Sequence, residues 1–455
     1  MKTKTILRAS LILSAIFGPF ATSSAEEPEN VFTIDAQVLA RGELRRGGIP
    51  IIKTDAETQG EYEKDEDLPT QKVNFISGRA RLSLGFEKKW LTAKIAAQHS
   101  GIWGDVTGGT FNIYEAWGMV KSDNGLFAKF GRQALAYDDE RIIGANDWSM
   151  TGSSHDALKL GYEGHNHMAH LILGYNQNAK NVAEGTTTYI NGFQPHKSLA
   201  TLWYHYDFKK IPLGISAIGM NIGMQGFENE AIEGKEKPKT YYQQIVGSYV
   251  KYSPSVFSAE ASYYRQMGRN ESNMKIDAWM ASAKFSFTPC DIYGVTTGYD
   301  YLSGDKFFAV PPSGQIGLIH HDVLRGFNPV YGSHHQFYGA MDFFYVRTFV
   351  NGFTPGLQNL YISGSYSPTK NLNFNAAYHH FAITADLPGI SKNLGDEIEL
   401  TGSYNFIKDA NISAGYSYMK GTKTMEILKR ASNRRNLNWA WLSISISPRL
   451  FTTKW

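Results

Sequence analysis

Basic residues at regular spacing give the first indication of chemistry in this chain. Arg79 and Arg81 lie two positions apart in a segment where apolar and polar residues alternate. Residues two apart on a β-strand point to the same face, so both guanidinium groups would line one surface. Guanidinium groups bind carboxylates through paired hydrogen bonds, and fixed positive charge lowers the energy of an anion in a narrow, low-dielectric passage. The spacing therefore predicts an anion-binding surface.

Further charged residues extend this prediction. We expect the anion path to be lined by Arg79, Arg81, Lys94, Arg132, Lys159 and Arg141. The acids available as their partners are Glu115, Asp138, Asp139, Glu140, Asp147, Asp156, Glu260, Glu397 and Glu399. Each cation has two interpretations, because it either faces a passing anion or pairs with one of these acids and only holds the wall rigid. The sequence leaves both open.

The elements that must position these side chains are β-strands with two different faces. In the last long segment Leu442, Ile444 and Ile446 alternate with Ser443 and Ser445. A strand with this pattern turns one face to hydrocarbon and the other to water, as in a barrel that crosses a membrane. The same parity recurs in the segments that begin near positions 79, 257, 360, 372, 398 and 410. A helical period would break it within about four residues.

Composition agrees with a membrane barrel. The mean hydropathy of −0.32 is polar, yet the chain contains 26 Tyr, 26 Phe and 9 Trp. After the first 25 residues no apolar run reaches the ~18 residues that a membrane helix needs. A wet inner face offsets a lipid-facing outer face in a barrel, and aromatic girdles mark its rims. The soluble alternative, a β-sandwich or propeller, would show shorter strands or an internal repeat, and the sequence has no repeat.

The sequence predicts a signal peptide followed by a single domain. Residues 1–25 combine a basic start, an apolar stretch and a small-residue cleavage site after Ala25, which is typical of a secretion signal peptide. Residues 26–455 are predicted to form one outer-membrane β-barrel domain. The signal removes three of 45 basic residues and none of 42 acidic ones, so 42 of each remain. Such a balance does not favour nucleic-acid binding.

Turn residues and loops fix the predicted architecture. Tight joins containing Pro, Asn or Asp alternate with long segments at about 47–72, 133–154, 178–195, 304–335, 386–396 and 420–436. We predict an all-β fold, a transmembrane antiparallel up-and-down β-barrel of about 18 strands (16–18), with short periplasmic turns and long extracellular loops. This predicts an integral protein of the Gram-negative outer membrane, in contact with lipid and lipopolysaccharide.

Three strings in the middle of the chain carry a resemblance to a known family. The first is residues 130–141, followed by Asp147-Trp148 and Asp156. The second is residues 298–305, and the third runs from Phe327-Asn328-Pro329 through Tyr338-Gly339 to Asp342. In this order they resemble the alginate-export family of outer-membrane barrels. The resemblance implies a monomeric 18-stranded barrel in which the loop after Gly131 helps to build the constriction. It also implies export of an acidic, alginate-like polysaccharide, with periplasmic export proteins as possible partners.

Two other functions stay open at this point. One is a general or small-solute uptake porin, which would take in a small anionic solute. The other, remote, is an outer-membrane hydrolase based on Ser154-His155-Asp156, although adjacent residues on a strand point apart and cannot converge as a triad. Paired histidines such as His379-His380 cannot both face one metal for the same reason. We therefore expect no enzyme activity, no cofactor and no metal.

Overall fold

The structure is a computed structural model that describes part of the chain. The described residues are 29–46, 72–190, 192–228, 237–306, 308–310, 315–317, 323–344, 354–429 and 436–455. The predicted signal peptide (1–25) lies outside these residues, as does most of the acidic segment 47–72, so the predictions made for them stay untested.

The described residues form twenty-two strands, and the long ones follow the alternation of apolar and polar residues. Most are long enough to cross a bilayer at a tilt. The strands are β1 (Val31–Arg46), β2 (Lys72–Lys88), β3 (Leu91–Ile102), β4 (Thr110–Lys121), β5 (Leu126–Gln133), β6 (His155–Glu163), β7 (His167–Tyr175), β8 (Ser198–Asp207), β9 (Leu213–Glu228), β10 (Lys237–Tyr252), β11 (Phe257–Arg269), β12 (Lys275–Phe287), β13 (Tyr293–Leu302), β14 (Phe308–Val310), β15 (Gln315–Gly317), β16 (Val323–Leu324), β17 (Leu357–Thr369), β18 (Leu372–Ala382), β19 (Asn393–Ile407), β20 (Ala410–Gly421), β21 (Asn436–Ile446) and β22 (Arg449–Lys454).

Eighteen of these strands form one closed antiparallel ring. Strands β1–β13 and β17–β21 pair in chain order, and β21 returns to β1. Strand β22 continues β21 beyond Ser447 and Pro448 and also pairs with β1. The ends meet because Asn30 N–H donates to the Trp455 carbonyl at 2.8 Å and Trp455 N–H donates to the Asn30 carbonyl at 3.1 Å. The prediction of an up-and-down barrel of about 18 strands is confirmed.

The two rims of the barrel differ in the length of the connections between their strands. Eight joins at one rim have two to five residues, such as Lys89–Trp90 and Lys408–Asp409. Asp409 adopts a left-handed backbone with φ of 65°, which allows the two-residue turn to reverse the chain. The other rim carries the long segments, and Asn30 and Trp455 lie on the short-turn rim. By the usual arrangement of such barrels, the short-turn rim is periplasmic.

Side-chain parity is as predicted in the segments that carried the argument. Leu442, Ile444 and Ile446 are 51%, 44% and 47% exposed on the outer wall, whereas Ser443 is buried on the inside. Arg79 and Arg81 point inward, on the opposite face of β2 from exposed Leu82. Arg81 lies in register with Gln37 and Gln98, and Arg79 lies in register with Leu39 and the buried Ser100. The outer wall is therefore apolar and the lumen polar.

The hydrophobic core lies inside the barrel rather than between layers. Residues 134–154 and 323–344 fold into the lumen and pack their apolar side chains against each other and against the wall. Ile143, Phe327, Phe343 and Tyr338 are almost completely buried there. Short helices, Ala179–Ala183 and Lys423–Lys429, lie in two other extracellular segments. Within the described ranges no helix has the length and apolar character to cross a membrane.

Candidate functional site

A glycine lies in β5 just before the first inward segment, 134–154, leaves the wall. Gly131 has φ of +113°, and a Cβ there would lie 2.2 Å from the Ala116 carbonyl oxygen, so a larger residue does not fit. Further along, Asp138, Glu140 and Asn146 have φ of 55°, 62° and 47°. Such left-handed backbone is unusual for residues other than glycine and persists only where surrounding contacts hold it. The segment therefore depends on its contacts with the wall.

Arginines on β1 and β2 provide one group of these contacts. The Arg79 guanidinium donates to the Asp147 carboxylate at 3.1 Å and to the Asp147 carbonyl at 3.2 Å. Arg81 donates to the same carboxylate at 3.2 Å. Arg41 donates to the Trp148 carbonyl at 3.2 Å and lies 4.2 Å from the centre of the Trp148 ring. Arg79 is only 3% exposed. It holds the inward segment and is not accessible to a solute.

Arg141 makes a second group of contacts, on the other side of the lumen. Its guanidinium lies 3.0 Å from Asp300 on β13 and 3.1 Å from Asp139, and it donates to the Tyr338 hydroxyl at 3.2 Å. Burial alone would lower the pKa of Arg141, but the adjacent carboxylates of Asp300 and Asp139 raise it well above its ordinary value. Arg141 is thus a buried tether between the two inward segments and the wall, and not a free pore cation.

Several predicted acids also hold inward segments. Glu140 accepts hydrogen bonds from Ser333 Oγ at 2.7 Å and from the Ala145 N–H at 3.1 Å. Asp138 accepts one from Trp203 Nε1 at 3.1 Å, and its burial raises its pKa.

Two acids on β19 bind the second inward segment. Glu397 accepts the Met341 N–H at 3.0 Å, and Glu399 accepts the Ala340 N–H. His379 lies 3.5 Å from Glu399, and its Nδ1 donates a hydrogen bond to Asn359 Oδ1 at 2.9 Å. These carboxylates are therefore acceptors for the backbone of segment 323–344, rather than partners of the predicted cations.

Arg132 and Asp156 face outward, so the prediction that they face the lumen is wrong. They form a bidentate ion pair, with both N–O distances at 2.8 Å. They lie in register with Ala116 and, on the next strand, with Ile95, which is 51% exposed on the outer wall. Strand parity in this half of the sheet therefore turns the pair outward. Because Asp156 faces away and Ser154 and His155 are buried, these three residues form no triad.

Lysines on β3–β6 lie closer to the periplasmic rim than the arginines described above. Lys94 forms an ion pair with Glu115 on β4. Lys129 on β5 and Lys159 on β6 lie directly opposite each other in register, and neither makes an ion pair within the described part of the chain. Lys129 Nζ lies 3.7 Å from the centre of the Trp117 ring, and Lys159 Nζ lies 5.3 Å from that of Tyr137. Like charges directly opposite on a sheet are destabilising, so this pair needs an explanation other than stability.

Sequence reasoning missed Lys129. The signal for it was present, since Lys129 alternates with Phe130, which is 59% exposed on the outer wall. Glu260 also lies in the lumen, where it pairs with Lys284 at 2.7 Å and Lys251 at 3.7 Å. The lumen thus has an extracellular half, in which charges are paired beneath inward segments, and a periplasmic half, in which some lysines are unpaired.

Comparisons with known proteins agree on the fold. No family model matches the chain, and no curated protein sequence matches it. Many solved structures do match, among them OccK/Opd porins of Pseudomonas aeruginosa. OccK5 (OpdH) is 12% identical with a TM-score of 0.55, and the match covers 92% of this chain and 99% of that chain. OccK2 (OpdF) in complex with glucuronate is 12% identical with a TM-score of 0.57, over 92% and 98%.

OpdK with vanillate is 8% identical with a TM-score of 0.55, over 92% of this chain and 99% of that chain. Identities this low show a shared fold and no more. They do not confirm the resemblance to the alginate-export family. The closed ring, the apolar outer wall and the charged lumen define an integral β-barrel channel of the outer-membrane type.

Proposed function

We propose that this protein is a passive channel for small carboxylate anions, and that it serves uptake rather than polysaccharide export. The observation that carries the proposal is the pair Lys129 and Lys159. The two lysines are directly opposite each other in register on the lumen wall, and neither ammonium group forms an ion pair with an acid among the described residues. An anion between them would relieve their repulsion, which gives binding without any rearrangement of the wall.

The local charge count favours a monoanion. Lys94, Lys129 and Lys159 contribute three positive charges, and Glu115 and Glu163 contribute two negative ones. One carboxylate neutralises the remaining charge. A weak, nearly neutral complex also suits transport, because a solute that binds too tightly does not leave.

Inward segments favour a small solute over a polymer. Segment 134–154 is tied to β2 through Asp147 and to β13 through Arg141, so it crosses the lumen between two parts of the wall. A polysaccharide chain would have to displace these ion pairs. The Arg141–Asp300 pair is buried on both sides, so it is costly to break. Export of an alginate-like polymer therefore has less support than uptake of a small anion.

The structural neighbours support the same choice. OccK2 was solved with glucuronate and OpdK with vanillate, and both ligands are small molecules with one carboxylate. The shared fold makes such ligands reasonable candidates for this chain, and its own lysine pair supplies the group that would bind them.

Ion selectivity in a planar bilayer tests the proposal. The double variant K129Q/K159Q should lower the anion-to-cation permeability ratio by about fivefold, the factor that corresponds to about 1 kcal/mol of lost attraction. The control is K89Q, because Lys89 lies in the periplasmic turn between β2 and β3, not on a lumen-facing strand position, and pairs with Asp123 at 3.5 Å. It should leave the ratio unchanged. A double variant that keeps the original ratio would refute the proposal.

A further inference from the structure

The lipid-facing side of one hairpin becomes basic near the extracellular rim. Strand β11 ends at Arg269, and a five-residue turn leads to Lys275, the first residue of β12. Tyr263 and Met267 on β11 are 47% and 38% exposed on the outer wall. Arg265 and Arg269 have the same parity as these two residues, so they also face the outside of the barrel.

Lys275 completes this group on the neighbouring strand. It lies directly opposite Arg269 in register. The next residue, Ile276, is buried on the inside, so Lys275 faces outward, and both Arg269 and Lys275 are exposed. We call Arg265, Arg269 and Lys275 the basic outer cluster.

Aromatic rings at the lower edge of the cluster indicate its depth in the membrane. The Trp279 ring stacks on the rings of Tyr301 and Tyr263, with 4.7 Å and 6.1 Å between ring centres. Trp and Tyr on the outer wall of a barrel mark the boundary between hydrocarbon and headgroups. Arg269 and Lys275 lie on the extracellular side of this boundary, so their charges lie among the headgroups of the outer leaflet.

Two of the three cations in the cluster have no acid partner within the described residues. Arg265 forms an ion pair with Asp277. Arg269 donates hydrogen bonds to the carbonyl and side-chain oxygens of Asn273, at 2.7 and 3.2 Å, whereas Lys275 forms no ion pair in this part of the chain. The charges of Arg269 and Lys275 are therefore available to an anion outside the barrel.

Arg132, which also faces outward, differs from this cluster. Its bidentate pair with Asp156 has both N–O distances at 2.8 Å, so its charge is neutralised. In the β11–β12 turn Glu271 is exposed, and no ion pair among the described residues joins it to the cluster. Even when Asp277 and Glu271 are counted against the three cations, this end of the hairpin keeps one net positive charge.

An apolar groove of about 570 Å³ lies on the outer wall below these aromatic rings. Ala259, Ala261 and Ala283 line it with small side chains, between Phe285 and Leu360, which are 46% and 52% exposed. Such a groove has room for a hydrocarbon chain. The same face thus combines positive charge at the level of the headgroups with an apolar groove at the level of the acyl chains.

We propose that the basic outer cluster binds a phosphate group of lipopolysaccharide, with an acyl chain of the same molecule along the apolar groove. This inference does not depend on the solute proposed for the lumen. Lipopolysaccharide forms the extracellular leaflet of the Gram-negative outer membrane, and its lipid A part carries phosphates and acyl chains. Guanidinium groups bind phosphate oxygens through paired hydrogen bonds, and a lysine adds a point charge.

The test measures lipid A binding to the purified, delipidated protein in detergent by native mass spectrometry. The double variant R269Q/K275Q should weaken lipid A binding by about thirtyfold, the effect of two basic side chains near an anionic lipid surface. The matched control R449Q/K454Q also removes two exposed positive charges, but at the periplasmic rim, where their partners are Asp35 and Glu29. It should leave lipid A binding unchanged.

Phosphatidylglycerol and inorganic phosphate distinguish the source of the phosphate group. Both should bind more weakly than lipid A, phosphatidylglycerol because it carries a single phosphate and inorganic phosphate because it cannot use the groove. Equally tight binding of phosphatidylglycerol and lipid A would overturn the inference. Full displacement of lipid A by millimolar inorganic phosphate would overturn it as well.

Lipid A affinity that is unchanged in R269Q/K275Q, or reduced equally in the control, would also contradict the inference. Heat-modifiable mobility on gels checks that each variant is folded. If the double variant is not folded, K275Q alone decides, because this exposed side chain makes no ion pair with the described residues. It should weaken lipid A binding by about fivefold, and unchanged binding would overturn the inference.

Discussion

The two halves of the lumen use charge in different ways. In the extracellular half, Arg79, Arg141 and Asp300 are 1–4% exposed and form ion pairs that hold the inward segments. In the periplasmic half, Lys129 and Lys159 are only partly buried and have no acid partner in the described structure. The residue types are similar, so type alone does not distinguish a structural charge from one that meets a solute. Burial and pairing do, and each prediction below changes one of them.

The largest effect is expected from loss of Asp300. The variant D300A leaves the buried Arg141 guanidinium without its closest wall carboxylate, and breaking a buried pair in this way costs about 3–5 kcal/mol. We expect segment 134–154 to become sensitive to protease and urea unfolding to shift to lower concentration. D277A is the control, since its pair with Arg265 is more than one-third exposed. Equal stability of the two variants would contradict a structural role for the charges in the extracellular half of the lumen.

Low pH should destabilise the extracellular half of the lumen. His196 is 1% exposed and its Nδ1 lies 2.8 Å from the Tyr331 hydroxyl, and burial lowers its pKa to about 4. An unfolded His titrates near 6.5, so the neutral form is favoured in the fold. Its stabilising contribution is full above pH ~6.5 and is lost as the pH falls toward 4.

This loss amounts to about 3 kcal/mol at pH 4, since each unit of pKa difference is worth about 1.4 kcal/mol. Protease sensitivity of segment 176–197 between pH 7 and pH 4 measures it. H196Q should reduce the pH dependence without abolishing it, because His155 is also buried and its ring stacks on that of His196 with 5.8 Å between the ring centres. A wild-type protein equally resistant at both pH values would show that the histidine is not held neutral by its surroundings.

Loss of Asp147 should convert paired charges into free ones. D147N leaves Arg79 and Arg81 without their shared carboxylate, at an expected cost in stability of about 1–2 kcal/mol. The lumen also gains one net positive charge, so the anion-to-cation permeability ratio should rise. Bilayer recordings check this directly. A lower ratio would mean that Asp147, which is half exposed, is not what keeps these arginines from attracting anions.

The smallest change in stability is expected at the lysine pair. K129Q/K159Q removes a repulsion between cross-strand neighbours, so its free energy of unfolding should change by less than about 0.5 kcal/mol, or rise slightly. The anion-to-cation permeability ratio of this variant should nevertheless fall. A variant that is clearly destabilised would show that these lysines stabilise the fold, as the charges in the extracellular half of the lumen do.

The sequence predicted the barrel well because strand parity is a local property. Alternation around Arg79 and Leu442 identified the inward and outward faces, and turn residues identified the short rim. Arg132 was placed on the wrong face because register with Ala116 and Ile95 fixes its direction, and no local pattern near Gly131 reveals that register.

Which charges are paired was not predictable. Arg79 and Asp147 are separated by 68 residues in the chain, and their contact exists only because a long extracellular segment folds back into the barrel. The resemblance placed a constriction after Gly131, and a segment does enter the lumen there. Nothing in the sequence indicated that Glu397 and Glu399 would bind backbone amides of segment 323–344.

The hydrogen bonds between Asn30 and Trp455 have a consequence for how the chain can be connected. Because β1 and β22 already pair at one seam, a short turn of about two residues joining Trp455 to Asn30 would preserve every strand pairing in the ring. New termini opened between β20 and β21 would give a circularly permuted barrel in which β21 comes first. Strand adjacency, and not the position of the termini, would then be sufficient to specify this fold.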